Sequence, residues 1–320
     1  MRAFGFACST LRRQVVIAVI LSGCYFPAVS AQKTLSGESL PEARGSGEPS
    51  ERGSFVDTTG CNLDTVGAET NTLVHGPGRA NSDFRKRFEK SAREGDVSAQ
   101  LNLGVIYACG WGTPQNYGTA LYWLTAAAKQ GSTRANTNLG ILYLKGLGVK
   151  QDYPEALRYF RTAAEDGDAG SMINLGYMND AGLGTPLDRT AAASWYRKAA
   201  EKGDPLGQNN LADLYFRGEG LPQRDDLALA WFQKAAANGN TAARIKLGYM
   251  YATGRATQRD AESAYAWLLA ASLAGDRRGV DYLSPLEAQL SPGQLERAKH
   301  RAKELQATPR SSPAEEASVH

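Results

Sequence analysis

The chain has 320 residues, with 36 Lys and Arg against 33 Asp and Glu and a formal charge of +3. Arg2, Arg12 and Arg13 lie in the first thirty-one residues, which hold no acid; without them the basic and acidic counts are equal at 33. That balance offers no positive field of the kind nucleic acid or an anionic membrane surface requires. His75, His300 and His320 are too scattered for metal-ligand spacing, so neither a metal nor another cofactor is expected.

The N-terminus reads as an export signal over residues 1–31. A basic stretch ends at Arg12 and Arg13, an apolar run follows from Val15 to Phe26, and Pro27 breaks it. Val29-Ser30-Ala31 supplies the small residues a signal peptidase reads, and the apolar run is too short for a stable transmembrane span. Leu21-Ser22-Gly23-Cys24 also resembles the bacterial lipobox, which makes Cys24 a lipidation candidate. Either route takes the protein out of the cytoplasm, periplasmic, secreted or held at the membrane by a lipid. Cleavage leaves Cys61 and Cys109, a disulfide candidate in an oxidising compartment. Residues 32–82 and 307–320 are rich in Gly, Ser, Glu and Pro, bury too little apolar surface to repay ordering, and read as disordered.

Between them the chain repeats with a step of thirty-six residues. Leu103, Leu139, Leu175, Leu211 and Leu247 keep that step, as do Gly110, Gly146, Gly182, Gly218 and Gly254. Trp123, Tyr159, Trp195, Trp231 and Trp267 form a third register without an insertion. A fixed period of this size marks a repeat array. In the second copy, Ala135, Leu139, Gly140 and Tyr143 share one face of a helix, here helix A. Gly146 and Gly148 turn the chain, Asp152 suits an N-cap, and Ala156, Tyr159, Phe160, Ala163 and Ala164 form the stripe of helix B. One helix pair cannot bury these faces alone, so stability must come from stacking of neighbours.

These residues resemble the Sel-one-like repeat (SLR) family, relatives of the tetratricopeptide repeats. The pattern A-x-x-x-L-G-x-x-Y, a G-x-G loop, then A-x-x-W-[YF]-x-x-A-A and a Gly turn is met five times between Ala99 and Gly275. Asn179, Ala212 and Ala256 are mild departures. The resemblance implies an all-α, right-handed α-solenoid of antiparallel helix pairs. Repeats are placed at 99–134, 135–170, 171–206, 207–242 and 243–278, with an N-terminal half-repeat at 83–98 and a C-terminal cap at 279–306.

Catalytic signals are absent from the sequence. Some relatives have been described as β-lactamase-like, but the S-x-x-K string such chemistry needs occurs only as Ser30-Ala31-Gln32-Lys33, across the cleavage site. No phosphate loop, H-E-x-x-H or nucleophile elbow is present. The expected role is therefore a non-enzymatic scaffold for other proteins of the envelope, or secreted, with a cell-wall enzyme or an effector acting on host proteins as alternatives. The resemblance implies that the A helices line a concave groove. Asn102, Asn138, Asn174 and Asn210 form a polar row there, able to bond an extended backbone or the adjoining loops. Leu101, Val105, Ile141, Ile173, Tyr177, Asn209, Asp213, Ile245 and Tyr249 are expected to flank it as a partner-binding strip, or else to pack between repeats.

Overall fold

The structure, a computed structural model, describes residues 80–307. The export signal, Cys24, Cys61, nearly all of the linker and the tail beyond 307 lie outside the described residues. The rest falls into two compact units, residues 80–224 and 225–307. Among the described residues all regular structure is helical, in successive antiparallel pairs of the α-solenoid class.

The first unit holds α1 (Ala80–Arg93), then A and B helices in alternation: α2 (Val97–Cys109), α3 (Tyr117–Lys129), α4 (Thr133–Lys145), α5 (Tyr153–Glu165), α6 (Ala169–Ala181), α7 (Arg189–Glu201) and α8 (Pro205–Arg217). Each helix from α2 to α8 has 13 residues because its stops are written into the sequence. Asp96, Ser132, Asp168 and Asp204 are N-caps of A helices; the Asp168 carboxylate, for instance, accepts from the Ser171 amide at 2.7 Å. Asn116, Asp152 and Asp188 do the same for B helices. At the far end of each A helix a glycine in the left-handed region, such as Gly146 at φ 69°, returns its N–H to the carbonyl four residues back.

Packing follows the large/small alternation of the repeat. Leu103, Leu139, Leu175 and Leu211 are buried, and so is the second member of each helix B pair, Leu124, Phe160 and Tyr196. The first member is less enclosed. Tyr159 and Trp195 are half-buried, with the Arg158 guanidinium and the Lys198 ammonium 4.1 and 4.2 Å from their ring centres. Gly140 is small because Phe160 lies against it: a Cβ there would sit 2.6 Å from the ring.

The second unit holds α9 (Asp225–Ala237), α10 (Thr241–Thr253), α11 (Ala261–Leu273), a 3-10 turn over Arg277–Tyr282, α12 (Leu283–Glu287) and α13 (Pro292–Ala307). Pro285 leaves α12 with only five residues. The last helix lays Leu295 and the fully buried Ala298 against a cluster that includes Tyr265, Leu268 and Leu286.

Candidate functional site

In the first unit, the first two repeats join through apolar side chains. Leu147 of the loop after α4 packs in one cluster with Tyr117, the first residue of α3. Val105, Trp111, Tyr117 and Leu147 belong to this cluster, and apolar or aromatic residues fill the same registers in both copies: Val105 and Ile141, Ala108 and Leu144, Trp111 and Leu147, and Tyr117 and Tyr153. Two copies further on, where the third repeat meets the fourth, the same registers carry Asp180, Arg189, Asp213 and Glu219. Four positions that hold apolar residues earlier in the array are charged where the third repeat meets the fourth.

Three of them, Asp180, Asp213 and Glu219, line one small cleft with Tyr196, Asn210, Leu214 and Arg217. Asp180, on the last turn of α6, is only 3% exposed. Arg189, the first residue of α7, reaches it with Nε at 3.2 Å, and the same nitrogen lies 3.2 Å from Glu219. Arg217 holds Asp213 at 2.7 Å within α8. Tyr196 projects from α7, 1% exposed, and its hydroxyl has no hydrogen-bond partner among the described residues. Burial, with the Asp180 carboxylate, Tyr177 and the Asp213 carboxylate nearby, holds its phenol well above the ordinary tyrosine range. Burial also raises the Asp180 carboxyl, although Arg189 opposes it. The cleft is a partly exposed ion-pair system built on one buried carboxylate, Asp180, with the Tyr196 hydroxyl beside it.

The expected partner-binding residues are placed differently from an exposed strip. Ile141, Ile173 and Asn174 are 0% exposed, and Asn210 is 2% exposed. Leu101, Val105, Asn138, Tyr177, Asn209 and Tyr249 are also buried. This corrects the expectation of an open apolar strip, because the A helices pack too closely to leave these side chains in solvent. Asn102, Asp213 and Ile245 keep partial exposure. Cys109 is half-buried at the end of α2, while its candidate partner Cys61 and the lipidation candidate Cys24 are outside the described residues. Of the expected set, Asp213 and Asn210 enter the cleft; Asp180, Tyr196, Arg189, Arg217 and Glu219 went unrecognised. Reading each register down the five copies for charge, rather than for agreement, would have found all but the tyrosine.

Among the described residues, no helix is long and apolar enough to cross a membrane. Nor does any group of three or more His, Cys, Asp or Glu among them have the arrangement to hold a metal ion.

Paired 13-residue helices with caps every thirty-six residues define a helical repeat protein of the α-solenoid class. More particularly, the chain belongs to the Sel1 repeat family, whose profile matches residues 97–132, 133–168, 169–204, 205–240 and 241–276. Each match starts on the first residue of an A helix, two residues before the boundaries read from the pattern. The chain is similar to the crystal structure of c5321, a protective antigen of uropathogenic Escherichia coli strains displaying an SLR fold. It is 33% identical over 69% of this chain and 48% of that one, with a TM-score of 0.65. A Sel1 repeat protein from Oxalobacter formigenes is 36% identical over 63% of this chain and 59% of its own, with a TM-score of 0.59. The chain thus spans about half to three-fifths of the length of these two relatives. No curated protein matches it. Membership of this family points to a protein–protein interaction scaffold, since Sel1 repeat proteins are generally non-enzymatic interaction modules.

Proposed function

We propose that the protein is an exported, non-enzymatic adaptor that holds a segment of another envelope or secreted protein against its A helices. The observation that carries this reading is the division of labour between registers. Leucines, alanines and second aromatics repeat and are buried, while charge enters at partly exposed positions such as Asp213, Arg217 and Glu219, which differ from their counterparts in the earlier copies. Arrays of this kind change ligands through such surface positions without changing the fold. Export is supported by the sequence of residues 1–31 and by the relative from uropathogenic Escherichia coli, a protective antigen.

The test is site-specific photocrosslinking in intact cells, with the crosslinker at Asn102, at Ile245 and, as the outer-face control, at the 66% exposed Tyr122. Discrete adducts from Asn102 and Ile245 but not Tyr122, in the envelope or secreted fraction, are the expected result. Adducts that are strongest at Tyr122, or that arise only in the cytosol, would overturn it.

A further inference from the structure

In the first unit the second member of the helix B pair is Leu124, Phe160 and Tyr196 in successive copies, so only the third carries a polar atom at the ring tip. The register of Asp180 changes in step with it: Ala108 and Leu144 precede Asp180, and hydroxyl and carboxylate arrive in the same copy. Packing fixes where the hydroxyl lies. A Cβ on Gly176 would stand 2.5 Å from the Tyr196 ring, as one on Gly140 would stand 2.6 Å from Phe160, so the ring cannot swing away to find a partner. Tyr196 is 1% exposed, and its hydroxyl has no hydrogen-bond partner among the described residues. The carboxylates of Asp180 and Asp213 nevertheless line the same cleft and lie close enough for their charge to act on it. A buried donor with acceptors just beyond direct reach is the arrangement that a bridging water satisfies.

We propose that this cleft is the site of one resident water molecule, which accepts from the Tyr196 hydroxyl and donates to the carboxylates of Asp180 and Asp213. The site goes beyond the adaptor reading and does not depend on it. The cleft has room for about one water molecule, and a buried water needs roughly two to four polar partners. Three are at hand, one donor and two acceptors, which matches the two hydrogens and a lone pair of water. A carboxylate accepts more than one bond. Asp180 can therefore take the water while Arg189 Nε lies 3.2 Å from it, and Asp213 can do so while Arg217 holds it at 2.7 Å. The water joins α6, α7 and α8, and so links the third repeat to the fourth through polar contacts where the first two repeats meet through apolar side chains. In the second copy, Phe160 and Leu144 fill the same registers without a polar side-chain atom and need no such bridge.

The test counts long-lived waters on the full chain by oxygen-17 magnetic relaxation dispersion, which follows the water oxygen and is blind to exchange of the tyrosine proton. The double variant Tyr196→Phe with Asp180→Leu gives the third copy the residues that the second already has, Phe160 and Leu144. In it the dispersion amplitude should fall by the contribution of one water. The amplitude should stay unchanged in Tyr122→Phe, whose side chain is on the surface at 66% exposure. A crystal structure of the parent chain, grown with rubidium chloride, is the second measurement and serves if the double variant does not fold by circular dichroism. It should show one water about 2.5–3.0 Å from the Tyr196 oxygen and from an oxygen of each carboxylate. An undiminished amplitude in the folded double variant would overturn the site, and so would a Tyr196 oxygen bonded directly to Asp180 or Asp213. An anomalous rubidium peak in the cleft would also overturn it, by making the occupant a cation.

Discussion

The Arg244 guanidinium donates from Nη2 to the carbonyl oxygen of Leu305 at 3.0 Å, joining α10 to the end of the last helix. Its Nε and Nη1 make longer contacts, each 3.4 Å, with the carbonyls of Ala236 and Ala270. The side chain is 4% exposed, and burial lowers its pKa from the ordinary arginine value. Its register explains the placement. Gln100 and Gln208, at the same position in the first and fourth repeats, donate to the carbonyls of Ala92 and Ala200 at 3.0 and 3.3 Å. Those bonds satisfy the open end of the preceding B helix. Arginine in the last repeat keeps that task and extends it to the terminal helix.

Arg244→Met removes the donors and leaves the Leu305 carbonyl without this partner. The expected cost is about 1.5–3 kcal/mol, the range for a charge-assisted hydrogen bond. It should appear as faster amide exchange in α13 and an earlier urea transition. Arg244→Gln should recover only the contact with Ala236, because a glutamine cannot also reach α13. If exchange in α13 is unchanged in Arg244→Met, the helix is held by Ala298 and its neighbours alone.

Ala256 stands at φ 60°, the one non-glycine residue with positive φ among the described residues. Gly112, Gly148, Gly184 and Gly220 occupy its register, with φ between 62° and 72°. A left-handed alanine costs about 1–2 kcal/mol, part of which glycine returns as unfolded-chain entropy. Ala256→Gly should therefore stabilise the protein by about 0.5–1 kcal/mol, read as a higher urea midpoint at unchanged slope. A lower midpoint would mean that the methyl group makes contacts worth more than the strain.

The period, the helix pairs and the turn glycines were legible in the sequence because each rests on a residue type with one dominant use. Leu139, Gly140, Gly146 and Asp152 each act locally, and the structure places them as their chemistry predicts. The candidate site was less legible for two reasons. Which A-helix registers face solvent depends on how closely neighbouring helices stack, so Ile141 and Ile173 were expected in an open strip and are 0% exposed. The cleft is formed by residues as far apart as Asp180 and Glu219, each unremarkable alone and informative only when stacking unites them. Tyr196 could not have been found at all, because it matches the repeat pattern and differs only in its hydroxyl.

Asp180 and Asp276 should respond to pH with opposite signs. Burial holds the Asp180 carboxyl above the ordinary aspartate value of 3.8, against the opposing charge of Arg189 and with Glu219 and Arg217 as weaker influences. The folded state therefore keeps this proton to higher pH than the unfolded chain, and its contribution declines as pH rises through the raised value. In Asp276 the hydrogen bond from Arg278 holds the carboxyl below 3.8, so its contribution is present above that value and is lost as pH falls. Urea unfolding from pH 3 to 7 checks both. Relative to the parent, Asp180→Asn should gain stability as pH rises and then level off. Asp276→Asn should fall behind the parent as pH rises through the lower part of the range and keep that deficit up to pH 7. The same slope in both variants would contradict the assignment.

The charges that replace the apolar seam also change sign along the chain. Arg189 opens its B helix and meets Glu219 thirty residues on, whereas Asp225 opens the next B helix and meets Arg255 thirty residues on. Within the second unit the Arg255 guanidinium grips Asp225 with two of its nitrogens, Nε to Oδ2 at 2.8 Å and Nη2 to Oδ1 at 2.7 Å. Two-point geometry and partial burial raise the value of such a pair above that of a mobile surface ion pair. A double-mutant cycle with Asp225→Asn and Arg255→Gln should give a coupling of about 0.5–1.5 kcal/mol, falling with added salt. The exchanged pair, Asp225→Arg with Arg255→Asp, should recover more stability than either single change retains, because the Arg189–Glu219 register already carries that polarity. A coupling indistinguishable from zero would show that this ion pair does not hold the loop after α10, and that the alternation of sign has no part in setting which neighbour each repeat accepts.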